Sequence, residues 1–151
     1  MAHETIIYGS IEGATYTANE YRKYQHINAE IIRTLPDEDE YPFLSRHMFS
    51  FPPADVCRGT FRTQIIHFGA SIKGLEWEEV DVWIVKFEGL LKRLYWFEAT
   101  VHIKPEIDSP YLFTWVPKVS PVSTHNRHGK LLPVTEWVRE KQHDGTVTKS
   151  P

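Results

Sequence analysis

The chain has 151 residues, a hydrophobic share of 41% and a formal net charge of −3 at pH 7. A chain of this length is expected to form one domain with its own hydrophobic core. The negative net charge gives no general attraction to nucleic acid or anionic lipid, so neither is expected as a partner.

The N-terminal residues and the cysteine content favour a cytoplasmic protein. The chain begins MAHETIIYG, which lacks the basic start and the apolar run of a signal peptide. No apolar stretch approaches the roughly 20 residues that cross a bilayer. The single cysteine, Cys57, excludes an internal disulfide and is typical of a reducing compartment.

The N-terminal third predicts a strand followed by a helix. The strand runs from Thr5 to Ile11, and Gly9 is a weak point or a bulge inside it. Thr17 and Glu20 then match the capping-box pattern, after which apolar residues keep helical spacing. Pro36 ends this helix.

Two further strands are predicted before the middle of the chain. Arg46–Phe51 predicts a short one, and the alternating stretch Thr60–Lys73 predicts a long one. One face of the long strand carries Ile66, Phe68, Ala70 and Ile72. Its other face carries Phe61, Thr63, Ile65 and His67.

The segment Leu75–Leu94 predicts the most strongly amphipathic helix. Its apolar residues recur in steps of three and four and form one stripe: Trp77, Val80, Ile84, Phe87, Leu91 and Leu94. Trp83 and Leu90 widen this stripe, one on each side. Acidic residues fill the first turns and basic residues the last, which is the order that the helix dipole favours.

The last predicted strands are Tyr95–Lys104 and Tyr111–Val116. In the first, alternation sends one set of side chains to the core, namely Phe97, Ala99, Val101 and Ile103. The opposite set is Trp96, Glu98, Thr100 and His102. Beyond Pro117 the pattern dissolves, and one helical turn is expected near Glu136–Lys141.

This order of elements predicts an α+β fold of the ferredoxin-like split βαβ type. We expect an antiparallel sheet of four to five strands with both helices on one face. Residues 1–117 would form a single domain, and residues 118–151 an irregular tail that is loosely ordered or wraps around it. The second face of the sheet would be uncovered, with Trp96, Phe61 and Ile65 exposed among polar residues.

The sequence contains no established catalytic or cofactor motif. His125 and His128 lie three apart without further metal ligands nearby, so no metal is expected. Cys57 has no neighbouring histidine or helix start to activate it. The best candidates for acid–base chemistry are His67, His102 and Glu98, although the favoured interpretation is that they are polar residues on an open sheet face. No catalytic residue is therefore assigned, and no cofactor is expected.

The split βαβ order also underlies a common RNA-binding module, but Arg62–Ala70 lacks that module's basic, glycine-containing strand motif. Asp37, Glu38, Asp39 and Glu40 form an acidic run, which is either a solvated loop or a contact surface for a basic partner.

Over Thr5–Val116 the chain resembles bacterial immunity proteins in size, charge and general character. That resemblance implies a non-catalytic protein that occludes the active site of a cognate toxin, with acidic residues matching a basic surface. The partner-binding residues would be Asp37, Glu38, Asp39, Glu40, Trp96, Glu98 and Phe61.

Two alternatives stay open. The chain could be a small-ligand-binding protein or enzyme of the dimeric α+β type, with His67, His102 and Glu98 as its polar groups. Its pocket would lie between sheet and helices and be lined by Trp77, Trp83, Phe68 and His67. It could also be a domain that associates with a second copy of itself through the open sheet face.

Overall fold

The computed structural model describes the backbone of residues 3–13, 18–50, 65–118 and 134–150, and the side chains of all of these except 18–22. Within these ranges the chain forms seven strands, two α-helices and one 3-10 turn (Arg46–Met48). The elements are β1 (Glu4–Gly13), α1 (Ala18–Arg33), β2 (Phe49–Ser50), β3 (Ile65–Lys73), α2 (Trp77–Leu91), β4 (Trp96–Pro105), β5 (Tyr111–Pro117), β6 (Trp137–His143) and β7 (Thr146–Ser150).

The strands form one antiparallel sheet in the order β2-β3-β1-β4-β5-β6-β7. The expectation of a ferredoxin-like split βαβ sheet with four to five strands is therefore wrong, although the α+β class is compatible with the structure. The difference arises mainly at the C-terminal end of the chain, where residues expected to be irregular add two strands.

The β6–β7 hairpin turns at Asp144 and Gly145, whose φ angles are 51° and 75°. Positive φ at both central residues is the requirement of the tightest hairpin turns, and Asp-Gly is a preferred pair for it. The helical turn expected near Glu136–Lys141 is wrong, since Trp115 pairs with Arg139 and the whole of β6 follows β5 in register. The prediction of an irregular tail is likewise wrong for residues 137–150.

The hydrophobic core lies between one face of the sheet and the two helices. The sheet contributes alternate residues of β1, β3, β4 and β5, while α1 contributes Ile32. As the spacing predicts, α2 presents most of its apolar stripe to this core, namely Val80, Trp83, Ile84, Phe87, Leu90 and Leu91. Trp77 departs from the expectation, because its side chain is 67% exposed at the start of the helix.

Trp96 is fully buried, so its expected position on the open sheet face is wrong. Glu12 pairs with Glu98, but the next residue, Gly13, pairs with Trp96, which leaves one extra residue in β4. Such a bulge resets the alternation of faces. The indole Nε1 of Trp96 donates to the carbonyl of Leu91 at 2.8 Å, so this side chain joins β4 to α2 inside the core.

Candidate functional site

A cleft of about 1160 Å³ opens where β3, α2 and the end of β4 meet. The acidic loop between α1 and β2 forms its outer wall. The cleft is lined by His3, Thr5, Glu38, Tyr41, Phe43, Ser71, Ile72, Lys73, Gly74, Leu75, Glu76, Trp77, Pro105, Glu106, Ile107 and Asp108. A cleft of this size is large enough for a segment of a partner chain.

Two large apolar side chains at the cleft are mostly exposed to solvent. Trp77 is 67% exposed at the first position of α2, and Ile107 is 72% exposed. Ile107 lies in the loop between β4 and β5 and lines the same cleft. Apolar side chains that gather at a concave surface are typical of binding sites.

The acidic loop is held against α2 by one lysine. Lys86 Nζ lies 3.0 Å from Asp39 Oδ2 and 2.9 Å from the carbonyl of Pro42, and it also donates to the carbonyl of Glu40. The other oxygen of Asp39 accepts from the Leu44 backbone amide at 3.1 Å. Asp39 is therefore committed to shaping the loop rather than to contacting a partner.

The remaining carboxylates of the acidic run differ in their surroundings. Asp37 Oδ1 lies 2.6 Å from Arg46 Nε, with which it forms an ion pair, and 2.6 Å from His47 Nε2, at exposed positions where such contacts contribute little to stability. Glu40 is exposed, and Glu38 is exposed and lines the cleft. Of the four predicted acidic residues, Glu38 is the one that the structure places at the cleft.

Tyr41 connects the acidic loop to the end of β3. Its hydroxyl donates to the carbonyl of Lys73 at 2.8 Å, and its ring meets Phe43 edge-on at 5.5 Å. Desolvation raises the pKa of Tyr41, and the negative charge of Glu79 raises it further. The hydroxyl therefore stays protonated at neutral pH and can keep donating this bond.

Carboxylates outnumber cations around the cleft. Glu38, Glu76, Glu106 and Asp108 line it, against His3 and Lys73. Glu106 accepts from the backbone amide of Glu4 at 2.9 Å, which fixes its position at the rim.

Asp108 carries a negative charge throughout the neutral pH range. The backbone N–H of Ser109 donates to its Oδ1 at 2.7 Å, and this bond is the main reason that the pKa of Asp108 lies below its usual value. The Tyr111 hydroxyl, which donates to Oδ2 at 3.2 Å, and the nearby His143 imidazole lower it further. The cleft thus presents a negative field to an approaching partner.

The predicted acid–base residues share the open face of the sheet but do not come together. Glu98 and His102 lie four residues apart on β4, which is about 13 Å along a strand. His67 lies on β3, separated from β4 by the whole of β1, which is at least about 9 Å. His102 instead stacks on Tyr8, with ring centroids 4.6 Å apart.

The residues expected to line a pocket between the sheet and the helices do not lie together. Trp83 and Phe68 are buried in the core and pack against Phe87, while His67 lies on the opposite face of the sheet. Trp77 lines the cleft at the end of the sheet.

Sequence reasoning missed Tyr41, Glu106, Ile107 and Asp108 as site residues. One signal could have found Ile107, because it is the only large aliphatic residue in the predicted loop between Pro105 and Pro110. The predicted residues Cys57, Phe61, His125 and His128 lie outside the described residues.

Within the described ranges, no group of three or more histidine, cysteine, aspartate or glutamate side chains is arranged to hold a metal ion. Neither described helix is long and apolar enough to cross a membrane. The chain matches no protein-family model, no curated protein and no solved structure.

Proposed function

We propose that this chain is a non-catalytic, cytoplasmic protein-binding domain that receives a basic segment of a partner protein in the cleft. The observation that carries the proposal is the pairing of two exposed apolar side chains, Trp77 and Ile107, with a rim of carboxylates. Tryptophan is among the residues most enriched at the centres of protein interfaces, and charged groups at the rim guide the partner during encounter.

Burial of Trp77 would contribute most of the affinity. A tryptophan side chain has up to about 250 Å² to bury, so covering its exposed two-thirds would release roughly 170 Å² of surface from water. At about 25 cal/mol/Å² this corresponds to roughly 4 kcal/mol as an upper figure. Ordering the side chain on binding would offset about 1 kcal/mol of that gain.

The carboxylates at the rim select the kind of partner. Glu38, Glu76 and Glu106 would meet lysine or arginine side chains, and an arginine could also stack on the indole of Trp77. The resemblance to immunity proteins narrows the proposal to a secreted bacterial toxin whose active site would be occluded in the complex. A basic, nucleic-acid-cleaving or membrane-active surface on that toxin would complement this cleft.

The test is a quantitative pull-down followed by binding to the purified partner. We expect the wild-type chain to capture one stoichiometric protein from the native lysate. The affinity for that purified protein should fall roughly 30- to 150-fold in Trp77→Ala, which corresponds to about 2–3 kcal/mol.

Val85→Ala is the matched control. Val85 is as exposed as Trp77 and lies on the same helix, but it does not line the cleft. Its substitution should leave the affinity within about twofold. A partner that binds Trp77→Ala and Ile107→Ala as tightly as the wild type would refute the cleft as the site.

Addition of salt provides a second, independent readout. Neutralising the rim in Glu38→Gln/Glu106→Gln should lower the association rate several-fold at low ionic strength and should flatten its dependence on salt. An unchanged salt dependence would contradict the basic-partner part of the proposal while leaving the apolar part intact.

A further inference from the structure

The open face of the sheet has its charges separated toward opposite ends. At one end, Glu12 on β1 and Glu98 on β4 lie directly across from each other. Like charges in this position repel each other and weaken strand pairing. Among the described residues neither carboxylate has an ion-pair or hydrogen-bond partner.

At the other end of the same face, Lys104 lies across from Ile6 and is exposed. It likewise forms no ion pair with any described residue. Lys104 lies six positions after Glu98 on β4, which is about 20 Å along the strand. Within the described ranges, the face therefore carries two carboxylates without an ion-pair partner at one end and Lys104 at the other, with Lys73 and Glu4 in the next row beyond Lys104.

The same face carries exposed apolar side chains, both between these charges and in the two rows that hold them. Ile6 and Tyr8 are each about two-fifths exposed on β1, and Ile65 is exposed to a similar extent on β3. Tyr8 stacks on His102, and Leu112 lies next to His102 on β5. This surface is self-complementary in one orientation, in which a second copy runs its strands in the opposite direction.

We propose that two copies of the chain stack through their open faces, related by a two-fold axis that lies between the sheets and runs perpendicular to the strands. The axis would pass midway between the row of Ser10 and Thr100 and the row of Tyr8 and His102. It would place Glu98 of each copy over Lys104 of the other, so each dimer gains two ion pairs. The Tyr8 row of one copy would then cover the Ser10 row of its partner.

The size of this surface sets the expected affinity. Five adjacent strands of the sheet (β3, β1, β4, β5 and β6) form this surface. At a spacing of about 4.8 Å and over about 20 Å of strand length, they give roughly 500 Å² for each copy. An interface that buries about 1,000 Å² in total lies at the low end of specific complexes and corresponds to weak or transient association. We therefore expect a dissociation constant in the micromolar range. This surface meets the cleft at Ser71, which lies opposite Ile6 on β3 and also lines the cleft. The inference is tested through Glu98 and Lys104, which do not line the cleft, so it can fail or succeed independently of the proposed function.

The test is a charge exchange read by sedimentation velocity and light scattering between about 5 and 500 μM. The wild-type chain should change from monomer to dimer across this range. Glu98→Lys alone and Lys104→Glu alone should each weaken dimerisation at least tenfold, because each creates two repulsive contacts per dimer. An equimolar mixture of these two variants should recover the dimer, since every cross-copy pair then joins opposite charges.

The double variant Glu98→Lys/Lys104→Glu should also dimerise like the wild type. Glu78→Lys, which changes the charge of an exposed residue on α2, is the control and should leave dimerisation unchanged. Circular dichroism and unfolding by urea establish that each variant is folded. Glu98→Lys should be at least as stable as the wild type, since it removes the repulsion with Glu12.

Each remaining outcome contradicts the inference. A wild-type chain that stays monomeric at 500 μM overturns it. A dimer that persists in both single variants would have to use another surface. Recovery in neither the mixture nor the double variant would refute the two-fold arrangement that pairs Glu98 with Lys104.

Discussion

Replacing Glu88 with alanine should destabilise the protein more than any other substitution of a partly exposed carboxylate on α2. The side chain of Glu88 is 17% exposed and accepts three hydrogen bonds. Its Oε2 accepts from the indole Nε1 of Trp115 at 3.1 Å and of Trp137 at 3.0 Å, and its Oε1 accepts from Arg139 Nη1 at 3.0 Å. One carboxylate thus connects α2 to β5 and β6.

The expected loss in the free energy of unfolding follows from what happens to each of the three donors once its acceptor is removed. Trp115 is fully buried and Trp137 nearly so, so each unsatisfied indole N–H would cost about 1–3 kcal/mol. Arg139 is 28% exposed at its side chain and would be partly rehydrated, which discounts its contribution. The free energy of unfolding should therefore fall by roughly 3–5 kcal/mol, a large part of the total for a domain of this size.

Urea unfolding followed by far-UV circular dichroism measures this change without depending on tryptophan emission. Glu88→Gln keeps one acceptor oxygen and should lose only about 1–2 kcal/mol, because the amide oxygen can still serve the two indoles. Glu78→Ala, an exposed position at the start of the same helix, should change stability by no more than about 1 kcal/mol. A loss below about 1 kcal/mol for Glu88→Ala would refute this account of how the C-terminal strands are held.

Three further substitutions test other parts of the fold. A Cβ at Gly9 would lie 2.0 Å from a backbone carbonyl of β4, so Gly9→Ala should lower the free energy of unfolding by about 3 kcal/mol or more. A Cβ at Gly89 would meet nothing within 4 Å, so Gly89→Ala should raise the free energy of unfolding by about 0.5–1 kcal/mol. Equal effects of the two substitutions in urea unfolding would contradict both expectations. Desolvation and the negative charge of Asp108 raise the pKa of Tyr111 above its ordinary value of 10.0. The contribution of Tyr111 to stability is therefore complete below pH 10 and is lost as the pH rises through the folded-state pKa. Between about pH 9 and 11.5 the free energy of unfolding should fall less steeply for Tyr111→Phe than for the wild type. Lys86→Met should free the acidic loop, which should appear as faster hydrogen exchange at the amides of residues 39–44 with little change in β4.

The sequence was sufficient to predict the elements whose patterns are long and regular. The strand faces of β3 and the buried stripe of α2 are confirmed because alternation and the 3.6-residue period depend only on local geometry. Trp96 was placed on the wrong face because a bulge shifts the alternation by one residue, and whether a strand bulges depends on the partner strand.

The C-terminal strands show a second limit. Residues of β6 and β7 are mostly polar and exposed, so their sequence carries almost no alternation of apolar residues. They become strands because β5 offers an edge to pair with and because Asp144–Gly145 can make the turn. The Asp-Gly pair was the available local signal, and the pairing with β5 was not visible in the sequence.

The candidate site was predicted only in part, for a related reason. The acidic run does border the cleft, but Asp39 serves Lys86, a residue 47 positions further along the chain. A carboxylate that shapes a loop and one that faces a partner look alike in sequence, since the difference lies in a contact between distant segments. The exposure of Trp77 was likewise invisible, because its spacing fits the buried stripe of α2.

The central position of β1 has a consequence for synthesis in the cell. The ribosome makes this strand before both of its neighbours, since Ile7 pairs on one side with Ala70 and on the other with Ile103. This strand must therefore wait until about half of the polypeptide has emerged before its first edge is covered, and until β4 has emerged before its second edge is covered. Until then it is an apolar strand with two open edges, which is the kind of segment that chaperones hold and that aggregates when translation stalls.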